Sequence, residues 1–180
     1  MERQTVDFYN VSSAWVNGKL EYTYTKTKTV NSSLRPNTQV SERECMNEVM
    51  RLVVRHLRMD KLKKERGVLV SIDDNNAIRE IVTFAYGNEW SVLFSMRAVH
   101  KMVLKFGIKN YILIHNHPNN VLRSSVDDRE TCEGFQVFSE IINTNFSGDY
   151  VITESGYLNV GTNESVPVHE YIKKSRTAIV

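Results

Sequence analysis

The chain has 180 residues, 41% hydrophobic and 24% charged, with three prolines and eight glycines, which excludes two large domains, a disordered segment and a collagen-like repeat. Lys and Arg number 23 against 21 Asp and Glu, and a net charge of +2 is too small to make nucleic acid the default partner through phosphate neutralisation. Two cysteines, Cys45 and Cys132, are too few for a disulfide scaffold, and no apolar run has signal-peptide or membrane-span length, so the sequence reads as soluble and cytoplasmic.

In chain order, residues 20–30 (LEYTYTKTKTV) alternate Tyr and Thr with Glu and Lys, the period-2 pattern of an outer strand. NSSLRPNTQV follows as a loop. Ser41 with Glu44 then opens SERECMNEVMRLVVRHLRMD as a capping box, with Cys45, Val49, Leu52, Val53 and His56 or Leu57 on one face of a helix. Residues 67–72 and 77–86, joined by DDNN, predict a central hairpin. Ser95 to Phe106 predicts a second helix, facing inward with Met96, Val99, Met102 or Val103, and Phe106, and stopped by Gly107. YILIHNH reads as a buried strand with a polar end. SVDDRETCEGFQVFSEIINT reads as a third helix with Phe135, Phe138, Ile141 and Ile142 inward, and DYVITES with GYLNV as a closing hairpin.

The order β, α, ββ, α, β, α, ββ predicts an α/β protein: a single domain with a mixed β-sheet sandwiched by helices, lacking the alternation of a doubly wound sheet. The division expected is 1–40 as an N-terminal extension of strands, 41–162 as the main domain and 163–180 as a tail that forms a last helix or packs on a partner.

The segment that carries chemistry is His115-Asn116-His117-Pro118, followed by Ser125 and Asp128. Residues i and i+2 of a strand point to one side, so His115 and His117 present two imidazoles to one face with Cα atoms about 6.5 Å apart. Pro118 ends the strand, and the loop to Ser124 returns the chain so that a helix begins beside the histidines, with Ser125 as N-cap. Asp128, in the first turn, supplies a carboxylate as third ligand. Two His and a carboxylate leave an open tetrahedral position, the arrangement of catalytic zinc, which lowers the pKa of its water to about 7. Attack still requires a base and a group to hold the oxyanion. Glu80, acidic within an apolar β pattern, is the candidate base, with Glu89 as rival. Ser125 is the candidate oxyanion donor, in competition with its capping role. Asn116 points to the opposite face and has no catalytic role in this reading.

These residues resemble the JAMM (MPN+, JAB) metallopeptidases, whose pattern is Glu, then His-x-His-x7-Ser-x2-Asp. The resemblance implies His115, His117 and Asp128 as zinc ligands, Glu80 as general base and Ser125 as the oxyanion-side hydroxyl, on a JAB/MPN, cytidine-deaminase-like architecture. HNHP and the preceding SIDDNNAIREIVTFAYG…FSMRAVHKMVLKFG are most similar to RadC-like proteins, over about residues 65–160. Those proteins commonly read Ser-Gly-Asp-Pro-Thr-Pro after HNHP, where this chain has Asn119-Asn120-Val121-Leu122-Arg123-Ser124, and residues 1–40 leave no room for a helix-hairpin-helix module. The implied activity is a zinc metalloprotease or isopeptidase acting after the tail of a ubiquitin-like protein, in a defence or conjugation system. The alternatives are a RadC-like protein in contact with DNA and a non-catalytic MPN scaffold.

The remaining candidates read as structure. His56 and His100 sit on solvated helix faces, and Cys132, one turn after Asp128, is a small buried hydrophobe. The lysines at 61, 63, 64, 101, 105 and 109 offer a nucleic-acid patch as the alternative to plain helix surface, and Tyr86, Trp90 and Phe94 a cleft lining as the alternative to core; in each case the structural reading is preferred.

Overall fold

A computed structural model describes residues 4–34, 40–75, 77–86 and 96–172. Glu89, Trp90, Phe94 and the expected helix start at Ser95 lie outside the described residues, as do residues 173–180. The first strand pair is β1 (Thr5–Val16) and β2 (Lys19–Asn31), joined at Asn17-Gly18 with φ of +49° and +74°. Both turn residues thus have the positive φ of a type I′ turn, which Asn-Gly favours because its twist matches that of the strands. Periodicity located only the second of these strands: TVDFYNVSSAWV carries Ser, Ala and Asn across its middle and lacks the alternation that identifies its partner.

Helix α1 (Glu42–Leu57) starts at the Ser41–Glu44 capping box. A 3-10 turn at Met59–Lys61 leads into the hairpin β3 (Arg66–Ile72) and β4 (Ile78–Tyr86). Helix α2 (Met96–Phe106), β5 (Asn110–Asn116), α3 (Val126–Ile141), β6 (Asn145–Ile152), β7 (Gly156–Asn159), β8 (Ser165–Pro167) and the single-turn α4 (Val168–Tyr171) complete the described chain. The strands form one mixed sheet in the order β2-β1-β4-β3-β5-β6-β7-β8. β1 runs parallel to β4 from Asp7↔Glu80 to Asn10↔Thr83, so the N-terminal hairpin continues the central sheet. β2 occupies the edge, where its lysines discourage further pairing.

Alternation divides the core between two faces. On one, Val49, Met50 and Val53 of α1 pack with Val6, Phe8, Val70, Ile81, Ile112 and Ile114. On the other, Val99, Met102 and Val103 of α2 and Phe135 of α3 pack with Leu69, Val82, Tyr111 and Leu113. The expected mixed sheet between helices is therefore present. Among the described residues, no helix is long and apolar enough to cross a membrane.

Several side chains depart from the sequence reading. Ile141 is 76% exposed, because the inward stripe of α3 runs from Phe135 to Ser139 and Ile142, and Ile141 lies about 100° off that line. Ser139 is tolerated in the core because its hydroxyl meets the Tyr111 hydroxyl at 2.7 Å. Phe106 is half exposed and lies edge-on to Tyr24, packing α2 against the middle of the N-terminal hairpin. His100 is not a solvated surface residue: it stacks on Phe138 and, half-buried, joins α2 to α3. His56 likewise packs edge-on against Phe8.

Candidate metal centre

β5 lies in the middle of the sheet, antiparallel to β3 and parallel to β6. Tyr111 and Leu113 face α2 and α3, so alternation sends His115 to that face, and His117 follows it just beyond the strand end. α3 begins ten residues after Asn116, with Ser125 as its N-cap. The Ser125 N–H donates to Asp128 Oδ2 at 2.6 Å, and the Asp128 N–H donates to Ser125 Oγ at 3.0 Å. This reciprocal cap folds the Asp128 carboxylate back toward the helix start, where the two imidazoles stand.

The ligand atoms converge. Asp128 Oδ1 is 3.2 Å from His115 Nε2, Asp128 Oδ2 is 3.5 Å from His117 Nε2, and one ligand atom from each residue falls within 4.8 Å of the others. A tetrahedral zinc ion with ligand bonds of about 2.0–2.1 Å separates neighbouring ligand atoms by about 3.3 Å, so the two imidazole–carboxylate distances fit the ion. The outer nitrogens are anchored. His117 Nδ1 is 3.1 Å from the Val121 carbonyl, which can only accept, so Nδ1 carries a ring proton and Nε2 is the nitrogen that faces Asp128, donating to it when protonated and offering a lone pair to a cation when not. His115 Nδ1 is 3.2 Å from Oδ1 of the fully buried Asp149, which orients that ring the same way.

The electrostatics agree with a cation-binding role. Burial disfavours the His115 imidazolium, but the Asp149 and Asp128 carboxylates outweigh it, and its pKa is pushed up to about 10. Burial works against the Asp128 carboxylate too, yet hydrogen bonds from His115 and His117 hold its pKa far below the usual range. Two carboxylates around two imidazoles form a pocket short of positive charge.

Ser125 stands beside this cluster, exposed, and the capping bond consumes one of its acceptor lone pairs. Its O–H stays available to donate, so capping and oxyanion contact do not compete for the same function of the hydroxyl.

Glu80 does not join the cluster, which corrects the sequence expectation of a base at that position. It accepts a hydrogen bond from the Ser71 hydroxyl, and its own N–H donates to Ser71 Oγ at 3.1 Å. Ser71 is paired with Tyr111, four residues before His115 on β5. Four residues along the strand and two strand spacings across put Glu80 about 16 Å from His115. Because the β3–β4 hairpin reverses the chain, the beginning of β4 lies level with the beginning of β5, opposite to the histidine end. The acidic side chain there belongs to the turn end of the sheet.

Two residues at the site were not identified from sequence. Glu65 immediately precedes β3, two residues before Gly67, the cross-strand partner of His115. Alternation, continued one residue beyond the strand start, assigns this half-buried residue to the face that carries His115. It is the acidic residue nearest the strand start in KKERGVLVSI, obscured by the lysines around it. Asp149, fully buried in β6, immediately precedes Tyr150–Ile152, and an acid set against an apolar run is its only sequence signal. Asn116 is also more than a spacer: its carboxamide contacts the backbone of residues 62–66.

A family model described as the RadC-like JAB domain matches residues 41–165. A UPF0758 protein from Rubrobacter xylanophilus is 29% identical over 103 residues, covering 57% of this chain. The chain spans 45% of the length of that relative.

Proposed function

Since the chain belongs to the family of RadC-like JAB domains, we propose that its His115–His117–Asp128 centre is a zinc-dependent hydrolase site for a peptide or isopeptide bond. The observation that carries this reading is the pair of Nδ1-anchored imidazoles whose Nε2 atoms lie 3.2 and 3.5 Å from a single carboxylate. His115, His117 and Asp128 hold the ion, which when bound supplies Lewis acidity that polarises the scissile carbonyl and acidifies the attacking water. Asp149 and the Val121 carbonyl keep the two rings oriented. Glu65 takes the proton from the water and returns it to the leaving amine. Ser125 donates its hydroxyl to the developing oxyanion.

The substrate in this reading is an extended tail of a ubiquitin-like protein, which follows from the resemblance to JAMM enzymes with all five motif residues. An extended tail suits a sheet, whose backbone groups bind it while side-chain pockets select it. Of the lysines considered for DNA, Lys101 and Lys105 lie over the rings of Tyr22 and Tyr24 at 4.9 and 4.5 Å, tying α2 to the N-terminal hairpin.

Elemental analysis of purified protein tests the premise: about one zinc per chain is expected, and none in His117→Ala. EDTA-sensitive cleavage of a linear ubiquitin-like–reporter fusion then tests the activity. Protein that neither carries nor acquires zinc would refute the proposal, and so would salt-sensitive DNA binding without any hydrolysis.

A further inference from the structure

Asn116 lies between the two histidine ligands, is 1% exposed, and spends its whole carboxamide on backbone groups of one short segment. Its Oδ1 accepts the Arg66 N–H at 2.7 Å, and its Nδ2 donates to the Lys64 carbonyl at 3.3 Å and, at 3.5 Å, to the Leu62 carbonyl. The Lys64 carbonyl and the Arg66 N–H belong to the two peptide groups on either side of Glu65. One side chain therefore grips both peptide planes that set the backbone angles of that residue.

The β3–β5 pairing ends at Gly67↔His115 and the β3–β4 pairing at Arg66↔Tyr86, so the ladder on the β5 side stops two residues short of Glu65. The carboxamide, with one donor edge and one acceptor edge, continues the contact from β5 past the end of that pairing. We propose that Asn116 is a positioning residue that holds Glu65 level with the metal ligands. The Asn in His-Asn-His thus serves the centre from the opposite side of the strand. A shift of about 1 Å in a group that moves protons costs on the order of a hundredfold in rate, the scale on which such a grip matters.

The proposal rests on reading Glu65 as the base, and the experiment separates the two. Full-length, zinc-loaded wild type is compared with Asn116→Ala, Asn116→Asp, Glu65→Gln and the Asn116→Ala/Glu65→Gln double variant. Zinc content should stay near one per chain throughout. Amide hydrogen exchange at Arg66 should accelerate at least about tenfold in Asn116→Ala, with Val68 and Val70 unchanged. In Asn116→Asp, which keeps an acceptor, Arg66 should stay protected. On the ubiquitin-like–reporter fusion, Asn116→Ala should lower kcat about ten- to a hundredfold at constant KM, and should have no further effect in the Glu65→Gln background.

Asn116→Asp, which turns a carboxylate oxygen toward the Lys64 carbonyl, should lose kcat in the same direction and serves if the alanine variant does not fold. Unchanged exchange at Arg66, or losses that multiply in the double variant, would overturn the proposal. A wild type without zinc-dependent turnover would instead overturn the hydrolytic reading, and the Arg66 exchange would still judge the grip on its own.

Discussion

Glu48 is a carboxylate on α1 with a side chain only 4% exposed, and replacing it by Gln should reveal how the N-terminal strands are fastened to the domain. Its Oε1 accepts the Ser33 N–H at 2.6 Å and the Ser32 hydroxyl at 3.1 Å, and its Oε2 accepts the Ser33 hydroxyl at 2.5 Å and Arg51 Nε at 2.8 Å. In Glu48→Gln the amide oxygen still receives Ser32 and the Ser33 N–H, and the Ser33 hydroxyl can rotate to accept. Arg51 has no acceptor function and loses its carboxylate partner, keeping only the longer 3.4 Å contact to Ser33 Oγ. A hydrogen bond to a charged group contributes about 1.5–3 kcal/mol, and the partial exposure of Arg51 places this one at the lower end, about 2 kcal/mol. For a chain of this size that is a fall in Tm of about 4–8 °C.

Burial raises the Glu48 pKa, but Ser33 and Arg51 more than offset it, and the net shift is downward. A carboxyl with a depressed folded pKa contributes stability that is present above the unfolded value, about 4.3, and is lost as pH falls through the folded value. Urea denaturation of wild type and Glu48→Gln should therefore show a gap of about 2 kcal/mol at pH 7 that narrows steadily below pH 4. Equal stability at pH 7, or a gap of the same size at both pH values, would refute the reasoning.

Three further outcomes follow from the same structure. Glu80→Gln should retain zinc and full turnover, because that carboxylate belongs with Ser71 at the far end of the sheet, whereas Glu65→Gln should retain zinc and lose turnover. Reversed effects in the cleavage assay would restore Glu80 as base. Gly156→Ala should cost more than about 2 kcal/mol in thermal unfolding, since a Cβ there would stand 2.2 Å from the Val166 carbonyl oxygen and the residue has φ of +158°. Titration with a maleimide should modify the half-buried Cys132 before Cys45, whose fully packed thiol is pushed up to about 12 by burial and reacts only on unfolding. Simultaneous labelling in the native protein would contradict that order.

Elements with strong local chemistry were legible without coordinates. The capping boxes at Ser41 and Ser125 announce α1 and α3, and the apolar runs of β3, β4 and β5 stand between unmistakable turn residues. The expected N-terminal strands do not reveal the bounds of β1, because Ser12, Ser13 and Ala14 interrupt its pattern, although Asn17-Gly18 is a hairpin signal that points to a strand on each side. His100 was misplaced for a different reason. Whether a helix face meets water or another helix depends on Phe138, thirty-eight residues away, and not on its neighbours in the chain.

The candidate metal centre divides along the same line. Spacing alone determined that His115 and His117 share a face, that Pro118 ends the strand and that Asp128 is drawn back by the cap at Ser125, because each depends on contacts within a few residues. Which acid lies toward their end of the sheet depended on strand order and register. An acidic residue at the start of β4 and one just before β3 look alike in sequence, but the hairpin reverses direction between them, and only the pairing Gly67↔His115 says which lies at the histidine end. Asp149 under His115, and the grip of Asn116 around Glu65, likewise join residues 34 and about 50 positions apart. Contacts at such separations are set by the packing of the whole sheet, and so only the tertiary structure decided them.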